Sequence, residues 1–246
     1  MKIALCYSGR PRNILECHDN HKEHFGLGSD NVDVFAHLWF DDSLVGSKFR
    51  SDAGQGNWPD AEIKDWIEEN WKPKKVKYEE PRVFEHMFND TWDPKWHGSH
   101  PKDNQISMFY GIEEVMKLKR EYEEEQGFEY DLVVRMRSDL NFIQSPGDLS
   151  EYDPNKLHVY NMIAGDDWIQ TGVDEWGILD IVAWGGSKIM DKYSTTYSNL
   201  ERILSEGCPA FTPDSLLGYN SVKVNNLPLE KHSWVFKIFV GNHIYS

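Results

Sequence analysis

The stretch Tyr130-Asp131-Leu132-Val133-Val134-Arg135-Met136-Arg137-Ser138-Asp139-Leu140 is the most informative for the fold. Its segment 132–134 is continuously apolar, which is typical of a strand covered on both faces. Arg135, Arg137 and Asp139 follow at alternate positions. Because ligands bind beyond the carboxyl ends of strands in open α/β sheets, we expect these charges in a binding site. Guanidinium groups suit phosphate, and a carboxylate among them suits a metal ion or a sugar hydroxyl, so the pattern favours a nucleotide-linked ligand.

This stretch resembles the signature of glycosyltransferase-like proteins with the GT-A fold. In that fold an Asp-x-Asp triplet follows a central strand and holds a divalent cation against the diphosphate of a sugar nucleotide. The corresponding triplet is Arg137-Ser138-Asp139, so an arginine stands at the first acidic position. The resemblance implies a Mn²⁺ or Mg²⁺ ion at Asp139, and the substitution leaves metal dependence open. A structural ion pair between Arg135 and Asp139 is the alternative interpretation.

Strands and helices alternate along the rest of the chain. Apolar runs predict strands at 3–7, 32–39, 157–160, 178–184 and 234–240, and helical spacing predicts helices at about 14–25, 104–126 and after Ser187. This alternation favours an α/β fold with a mainly parallel sheet flanked by helices. The pattern alone fits Rossmann-like and flavodoxin-like sheets as well as the GT-A fold that the resemblance implies.

Residues 41–103 differ in composition from the remainder, with five tryptophans and many Gly, Pro, Asp and His. One amphipathic helix is predicted there, because Ile63, Trp66, Ile67 and Trp71 recur at helical spacing. Residues 75–78 alternate like a half-exposed strand. We interpret 1–246 as one domain in which 41–103 is an elaboration and a candidate flap over the site.

Composition excludes several classes of function. The formal net charge is −15, which disfavours binding to nucleic acid or to an anionic membrane surface. No apolar run approaches the ~18–20 residues of a membrane span. The three cysteines are widely spaced and form neither a disulfide framework nor a zinc motif, which favours a reducing compartment. We therefore predict a cytoplasmic protein.

A second arginine-rich segment, Ser8-Gly9-Arg10-Pro11-Arg12, follows the first predicted strand. It matches neither of the common glycine-rich phosphate-binding motifs. Backbone N–H groups beside Gly9 and the side chains of Arg10 and Arg12 are nevertheless predicted to contact phosphate, and a turn with solvated arginines is the alternative. His37, near the end of the second strand, is predicted to contact the base or ribose unless it is a core histidine.

Three more positions are candidates for the site. Gly185-Gly186 precede a helix start, where backbone N–H groups could approach an anion or sugar hydroxyls, although a tight turn alone accounts for the glycines. Asp214 follows a helix-capping pattern, Thr212-Pro213, and is a candidate catalytic base or merely a favourable charge in a first helical turn. His232 is a candidate metal ligand, because the resemblance implies a late histidine in the metal shell.

The resemblance implies a glycosyltransferase that moves a sugar from a nucleoside-diphosphate donor to a hydroxyl acceptor such as a glycan, in polysaccharide or glycoconjugate synthesis. Arg10 and Arg137 would stabilise the diphosphate leaving group. A sugar-1-phosphate nucleotidyltransferase shares the sheet plan, but its glycine-rich first loop would carry a lysine that residues 8–12 lack. A non-catalytic sugar-binding or nucleotide-binding relative is the third hypothesis.

Overall fold

Seven strands form the central sheet of the computed structural model, which describes residues 1–45, 48–51, 54–57, 62–84, 96–97, 102–160, 176–232 and 236–238. Numbered in chain order and given in spatial order, the strands are β5 (Lys75–Glu79), β2 (Val32–Trp39), β1 (Ile3–Gly9), β7 (Leu132–Met136), β10 (Val182–Gly185), β9 (Leu157–Tyr160) and β12 (Leu229–His232). Six strands run parallel, and β10 is antiparallel to its neighbours β7 and β9. The prediction of a mainly parallel α/β sheet is confirmed.

Three two-stranded pairs lie outside the central sheet. They are β3 (Lys48–Ser51) with β4 (Gly54–Asn57), β6 (Trp96–His97) with β11 (Ala210–Phe211), and β8 (Leu140–Phe142) with β13 (Phe236–Ile238). The pair formed by β8 and β13 joins the segment just after β7 to the described end of the chain. Strand β13 falls within the predicted last strand, whose other residues lie outside the described ranges.

Helices cover the sheet. They are α1 (Ile14–Phe25), α2 (Ile63–Asn70), α3 (Lys102–Gln126), α4 (Ser187–Tyr193), α5 (Leu200–Ser205) and α6 (Pro213–Gly218). Short 3₁₀ turns occupy Asp42–Leu44, Leu149–Glu151 and Ser194–Thr196, and a π-helical turn occupies Tyr219–Val224. Helix α3 ends where predicted, because Gly127 adopts the left-handed conformation, with φ of 71°, that terminates many helices.

The alternation of side chains along β1 divides the core into two layers. Ala4 and Cys6 pack on the side of α3, whereas Leu5 and Tyr7 pack on the side of α1. Arg135 is the register partner of Cys6 on the neighbouring β7, and Ser8 lies two residues beyond Cys6. Both polar side chains therefore emerge on the α3 side, at the carboxyl ends of their strands.

The order of the strands reverses between β1 and β7. The chain passes from β1 to β2 and β5 on one side, whereas β7 lies on the other side of β1. In open α/β sheets, ligand crevices form outside the carboxyl ends of the strands at such a switch point. The fold thus brings both arginine-rich segments to the position where a ligand is expected.

The segment 41–103 is partly integrated into the sheet. Helix α2 and strand β5 are found where the sequence predicts them, and β5 is the outermost strand beside β2. The candidate flap was predicted over 41–103, and its residues 46–47, 52–53, 58–61, 85–95 and 98–101 lie outside the described residues. Its role as a flap stays a prediction. Within the described ranges, no helix combines the length and apolar character that crossing a bilayer requires.

Candidate functional site

A cavity of about 380 Å³ opens at the carboxyl ends of β1 and β7. This volume lies within the range of ~300–1,000 Å³ that is usual for small-molecule sites. Its lining includes four arginines and three aspartates: Arg10, Arg12, Arg135, Arg137, Asp139, Asp180 and Asp214. A chain with a net charge of −15 therefore has a local excess of cationic side chains in this cavity.

Arg135 forms the floor of the cavity. Its Nε and Nη2 donate to Ser8 Oγ at 3.2 and 3.1 Å, and its Nη1 donates to the backbone carbonyl of Asp180. The side chain is almost fully buried, and this burial lowers the pKa of Arg135. Arg135 thus joins the ends of β1 and β7 to the residue that leads into β10.

Arg137 and Asp139 form a bidentate ion pair. Arg137 Nε donates to Asp139 Oδ1 at 2.8 Å, and Nη2 donates to Oδ2 at 2.7 Å. Although burial opposes the charge on Arg137, the carboxylate of Asp139 raises the pKa of Arg137. The alternative pairing of Asp139 with Arg135 is wrong, because Asp139 binds the next arginine along the chain.

This pair does not suit a divalent cation. Both carboxylate oxygens of Asp139 accept hydrogen bonds from the Arg137 guanidinium, and Asp139 is 1% exposed. Mg²⁺ and Mn²⁺ require carboxylate oxygens that are turned toward the ion, and a bound guanidinium repels them. The expectation of a metal at Asp139 is therefore not supported by the geometry.

Ser138 fixes the loop that carries the other two arginines. Its hydroxyl lies 3.2 Å from the backbone carbonyl of Arg10 and 3.1 Å from that of Arg12, and it can donate to either. Gly9 begins this loop with φ of 116°, a conformation that favours glycine. The two arginine-rich segments are thus held against each other at the switch point.

Arg10 and Arg12 are half-buried on the cavity wall. Burial lowers the pKa of Arg10. Burial, reinforced by the neighbouring charge of Arg137, lowers the pKa of Arg12 to about 10. Desolvated guanidinium groups that repel one another gain more from a bound anion than solvated ones, so these two residues are the strongest candidates to bind a phosphate.

Asp214 supplies a buried carboxylate to the lining of the cavity. Thr212 caps α6 by accepting a hydrogen bond from the N–H of Ser215, and Pro213 occupies the first turn, as predicted. Asp214 is 7% exposed, and its Oδ1 has no hydrogen-bond partner among the described residues. Burial, together with the nearby charge of Asp180, raises the pKa of Asp214 well above its usual value.

His37 lies beside the cavity but does not line it. It is fully buried on β2, where its Nε2 is 2.9 Å from Glu79 Oε2 and its ring contacts Trp39 and Tyr110 edge-on. This arrangement corresponds to the core-histidine alternative, and direct contact with a base or ribose is not supported. Trp39, at the end of the same strand, reaches the cavity instead.

Gly185 and Gly186 lie at the other end of the strands from the cavity. Because β10 is antiparallel to β7, its carboxyl end faces the amino ends of the parallel strands. A Cβ at Gly185 would lie 2.7 Å from the carbonyl oxygen of Lys156, and one at Gly186 would lie 2.6 Å from that of Pro154. The prediction that they approach the ligand is corrected, since close backbone packing accounts for both glycines.

His232 is also remote from Asp139. It ends β12, and β10 and β9 lie between β12 and β7, a distance of roughly 14 Å at the usual strand spacing. The two predicted metal ligands therefore do not meet. His232 instead lies next to His158 and Glu230.

Some cavity residues were not identified from the sequence. Asp180 is the most important, because it precedes an antiparallel strand and so reaches the site from that strand's amino end. The others come mainly from the first turns of α3 and from segments next to known motifs: Trp39, Asn104, Gln105, Ser107, Met108, Leu179 and Pro213. The polar residues Asn104, Gln105 and Ser107 in the first turns of α3 were the available signal for that wall.

A comparison with models of known protein families finds no match for this chain, and a comparison with curated proteins finds no significant match either.

Proposed function

We propose that this protein is a glycosyltransferase that uses a nucleoside-diphosphate sugar as donor and a hydroxyl group, such as that of a glycan, as acceptor. The observation that carries the proposal is the cavity at the switch point, which combines four arginines with the buried carboxylate of Asp214. A mixed, mainly parallel sheet with this site is compatible with the GT-A fold.

The arginines have separate parts in the proposed reaction. Arg10 and Arg12 bind the diphosphate and stabilise the negative charge that develops as the sugar leaves. Arg137 stays bound to Asp139 as a neutral pair that lines the site, so most of the positive charge for the leaving group comes from Arg10 and Arg12. Arg135 fixes the geometry of the floor through Ser8 and the Asp180 carbonyl. Fixed cations thus replace the divalent ion at the leaving group.

Asp214 is the proposed base. Glycosyl transfer to a hydroxyl requires removal of the hydroxyl proton, and a carboxylate can accept it. A carboxylate whose pKa is raised by burial and by Asp180 is a stronger base than an ordinary aspartate once it is ionised. Oδ1, which has no partner among the described residues, is the atom proposed to receive the proton.

The test is a turnover assay with nucleoside-diphosphate sugars and a panel of hydroxyl acceptors, in which the release of nucleoside diphosphate is measured. The proposal expects acceptor-dependent release, and Asp214→Asn is expected to slow it by about 10²–10⁴-fold. Glu206→Gln, on the exposed end of α5, is the matched control and should turn over like the wild type.

Other products would favour the other hypotheses. Release of pyrophosphate from a nucleoside triphosphate and a sugar phosphate would support a nucleotidyltransferase. Binding of a sugar nucleotide without any turnover across the acceptor panel would support a non-catalytic binding protein. Either result would overturn the proposed transfer.

A further inference from the structure

Two histidines and a glutamate converge at the edge of the sheet farthest from β5. His158 lies on β9, and Glu230 and His232 lie on the parallel neighbour β12. One ligand atom from each of the three side chains lies within 4.8 Å of the others. His158 Nδ1 is 3.0 Å from His232 Nε2, which in turn is 3.8 Å from Glu230 Oε1.

The hydrogen bonds of His158 orient it as a metal ligand. Its Nε2 is 2.8 Å from the backbone carbonyl of Asp153, which can only accept, so Nε2 carries the proton. In the neutral ring this leaves the lone pair on Nδ1, which points at His232. Metal-bound histidines usually donate their second ring nitrogen to a carbonyl or carboxylate in this way.

Aromatic side chains surround the two imidazole rings. Trp184 stacks on His158 with centroids 5.6 Å apart, and Tyr152 packs edge-on against both histidines at 5.2 Å. Aromatic side chains thus hold both imidazole rings in place at the position where the ligand atoms converge.

We propose that His158, Glu230 and His232 bind one divalent transition-metal ion, of which Zn²⁺ is the representative, and that this ion joins β12 to β9. Two imidazole nitrogens with one carboxylate suit Zn²⁺, Co²⁺ and similar ions rather than Mg²⁺ or Ca²⁺. Tetrahedral zinc with bonds of about 2.05 Å places two nitrogens roughly 3.3 Å apart. The observed 3.0 Å between the ring nitrogens is therefore close to what the ion requires.

Lys156 is the competing cation at this site. Its Nζ is 2.8 Å from Glu230 Oε2, in a pair whose side chains are 43% and 41% exposed. An ion pair this exposed contributes little stability, so a metal ion can displace it or share the carboxylate through Oε1. The site lies on β9 and β12, and β10 separates these two strands from β7, which carries part of the arginine cavity. Failure of the metal site would therefore leave the proposed transferase function untouched.

The test adds Zn²⁺ or Co²⁺ to metal-free full-length protein. We expect saturable binding of one equivalent, a higher Tm, visible d–d absorption of tetrahedral Co²⁺, and slower hydrogen exchange in a peptide covering residues 229–232. His158→Gln and His232→Gln should each weaken binding by more than about 100-fold, since even outer-shell changes cost 10–100-fold. Glu230→Gln should also weaken metal binding. Because Glu230 is half-exposed, this variant is expected to fold even if the variant of the buried His158 does not.

His24→Gln is the matched control, because His24 is a half-buried histidine on α1 that packs against Phe142 and lies outside the cluster. It should bind Zn²⁺ and Co²⁺ as the wild type does. The absence of one-equivalent binding to the wild type, or wild-type affinity in both His232→Gln and Glu230→Gln, would overturn the proposal. The two histidines would then form only a hydrogen-bonded pair.

Discussion

The guanidinium of Arg137 binds both carboxylate oxygens of Asp139, with Nε to Oδ1 at 2.8 Å and Nη2 to Oδ2 at 2.7 Å. The two residues are separated only by Ser138, whose hydroxyl holds the Arg10–Arg12 loop. Within the triplet 137–139, Arg137 therefore neutralises the Asp139 carboxylate, and Ser138 holds the backbone of the loop that carries Arg10 and Arg12. This arrangement occupies both oxygens of the carboxylate that would otherwise be available to a metal ion.

The first prediction concerns the stability that this pair provides. Asp139→Asn should lower the free energy of unfolding by about 1.5–3 kcal/mol, the scale of hydrogen bonds to charged groups in a buried setting. Glu206→Gln is the control, because the Arg202–Glu206 pair has the same 2.7 Å separation but is 56% and 40% exposed. It should cost at most about 0.5 kcal/mol. Urea titration measures both, and equal losses would contradict a special role for burial.

The second prediction concerns metal dependence at the cavity. Because Asp139 is occupied by Arg137, donor binding should persist in EDTA. Calorimetry with and without chelator measures this, and the two affinities should agree within a few-fold. Complete loss of nucleotide binding on chelation would show that a cation bridges the phosphates through ligands other than Asp139.

The third prediction concerns Asp214 and the pH dependence of stability. The folded-state pKa of Asp214 is raised by burial and by Asp180, so the wild type loses stability as pH rises from the ordinary aspartate pKa through the raised value. Asp214→Asn removes this ionisation and should be more stable than the wild type above that window, by roughly 1.4 kcal/mol for each pKa unit of the shift.

Melting curves of both proteins across pH check the sign of that effect. A first-turn aspartate that served only the helix dipole would give the opposite result, with Asp214→Asn less stable by about 0.3–1 kcal/mol. A variant that is less stable at every pH would therefore show that the carboxylate is not strained by burial.

The fourth prediction concerns the pH profile of turnover. If Asp214 is the base, kcat/KM should rise with pH and level off above the raised pKa of this carboxyl group. Asp180→Asn removes a neighbouring negative charge, so it should move the profile to lower pH while Asp214 still titrates. An unchanged profile in Asp180→Asn would show that the charge of Asp180 does not affect the titration of Asp214, and would contradict the prediction.

Much of the fold was accessible from the sequence because strong local patterns determine it. The continuous apolar runs predicted β2, β7 and β9, and Gly127 predicted the end of α3. The chain direction of β10 was not accessible, since strand polarity depends on long-range pairing rather than on local periodicity. Because β10 is antiparallel, Asp180 before its amino end lies at the cavity, whereas Gly185 and Gly186 at its carboxyl end lie far from it.

The site residues could likewise be predicted only where local sequence patterns determine their positions. The residues after two parallel strands could be predicted to meet, because carboxyl ends of parallel strands share one edge of the sheet. The sequence could not show which of Arg135 and Arg137 would bind Asp139, since both alternate onto the same side. The proximity of His158 and His232 could not be predicted either, because it depends on the pairing of β9 with β12, and the two histidines are 74 residues apart in the sequence.

The most direct test of the central claim is calorimetry of nucleoside diphosphates on the wild type, Arg12→Gln and Arg202→Gln. The account predicts that at least one nucleoside diphosphate binds the wild type and Arg202→Gln alike. In Arg12→Gln, the loss of a charged hydrogen bond should weaken binding by about 1.5–3 kcal/mol, or roughly 10–150-fold. Failure of every nucleoside diphosphate to bind the wild type, or equal affinity in Arg12→Gln, would contradict a diphosphate site at the switch point.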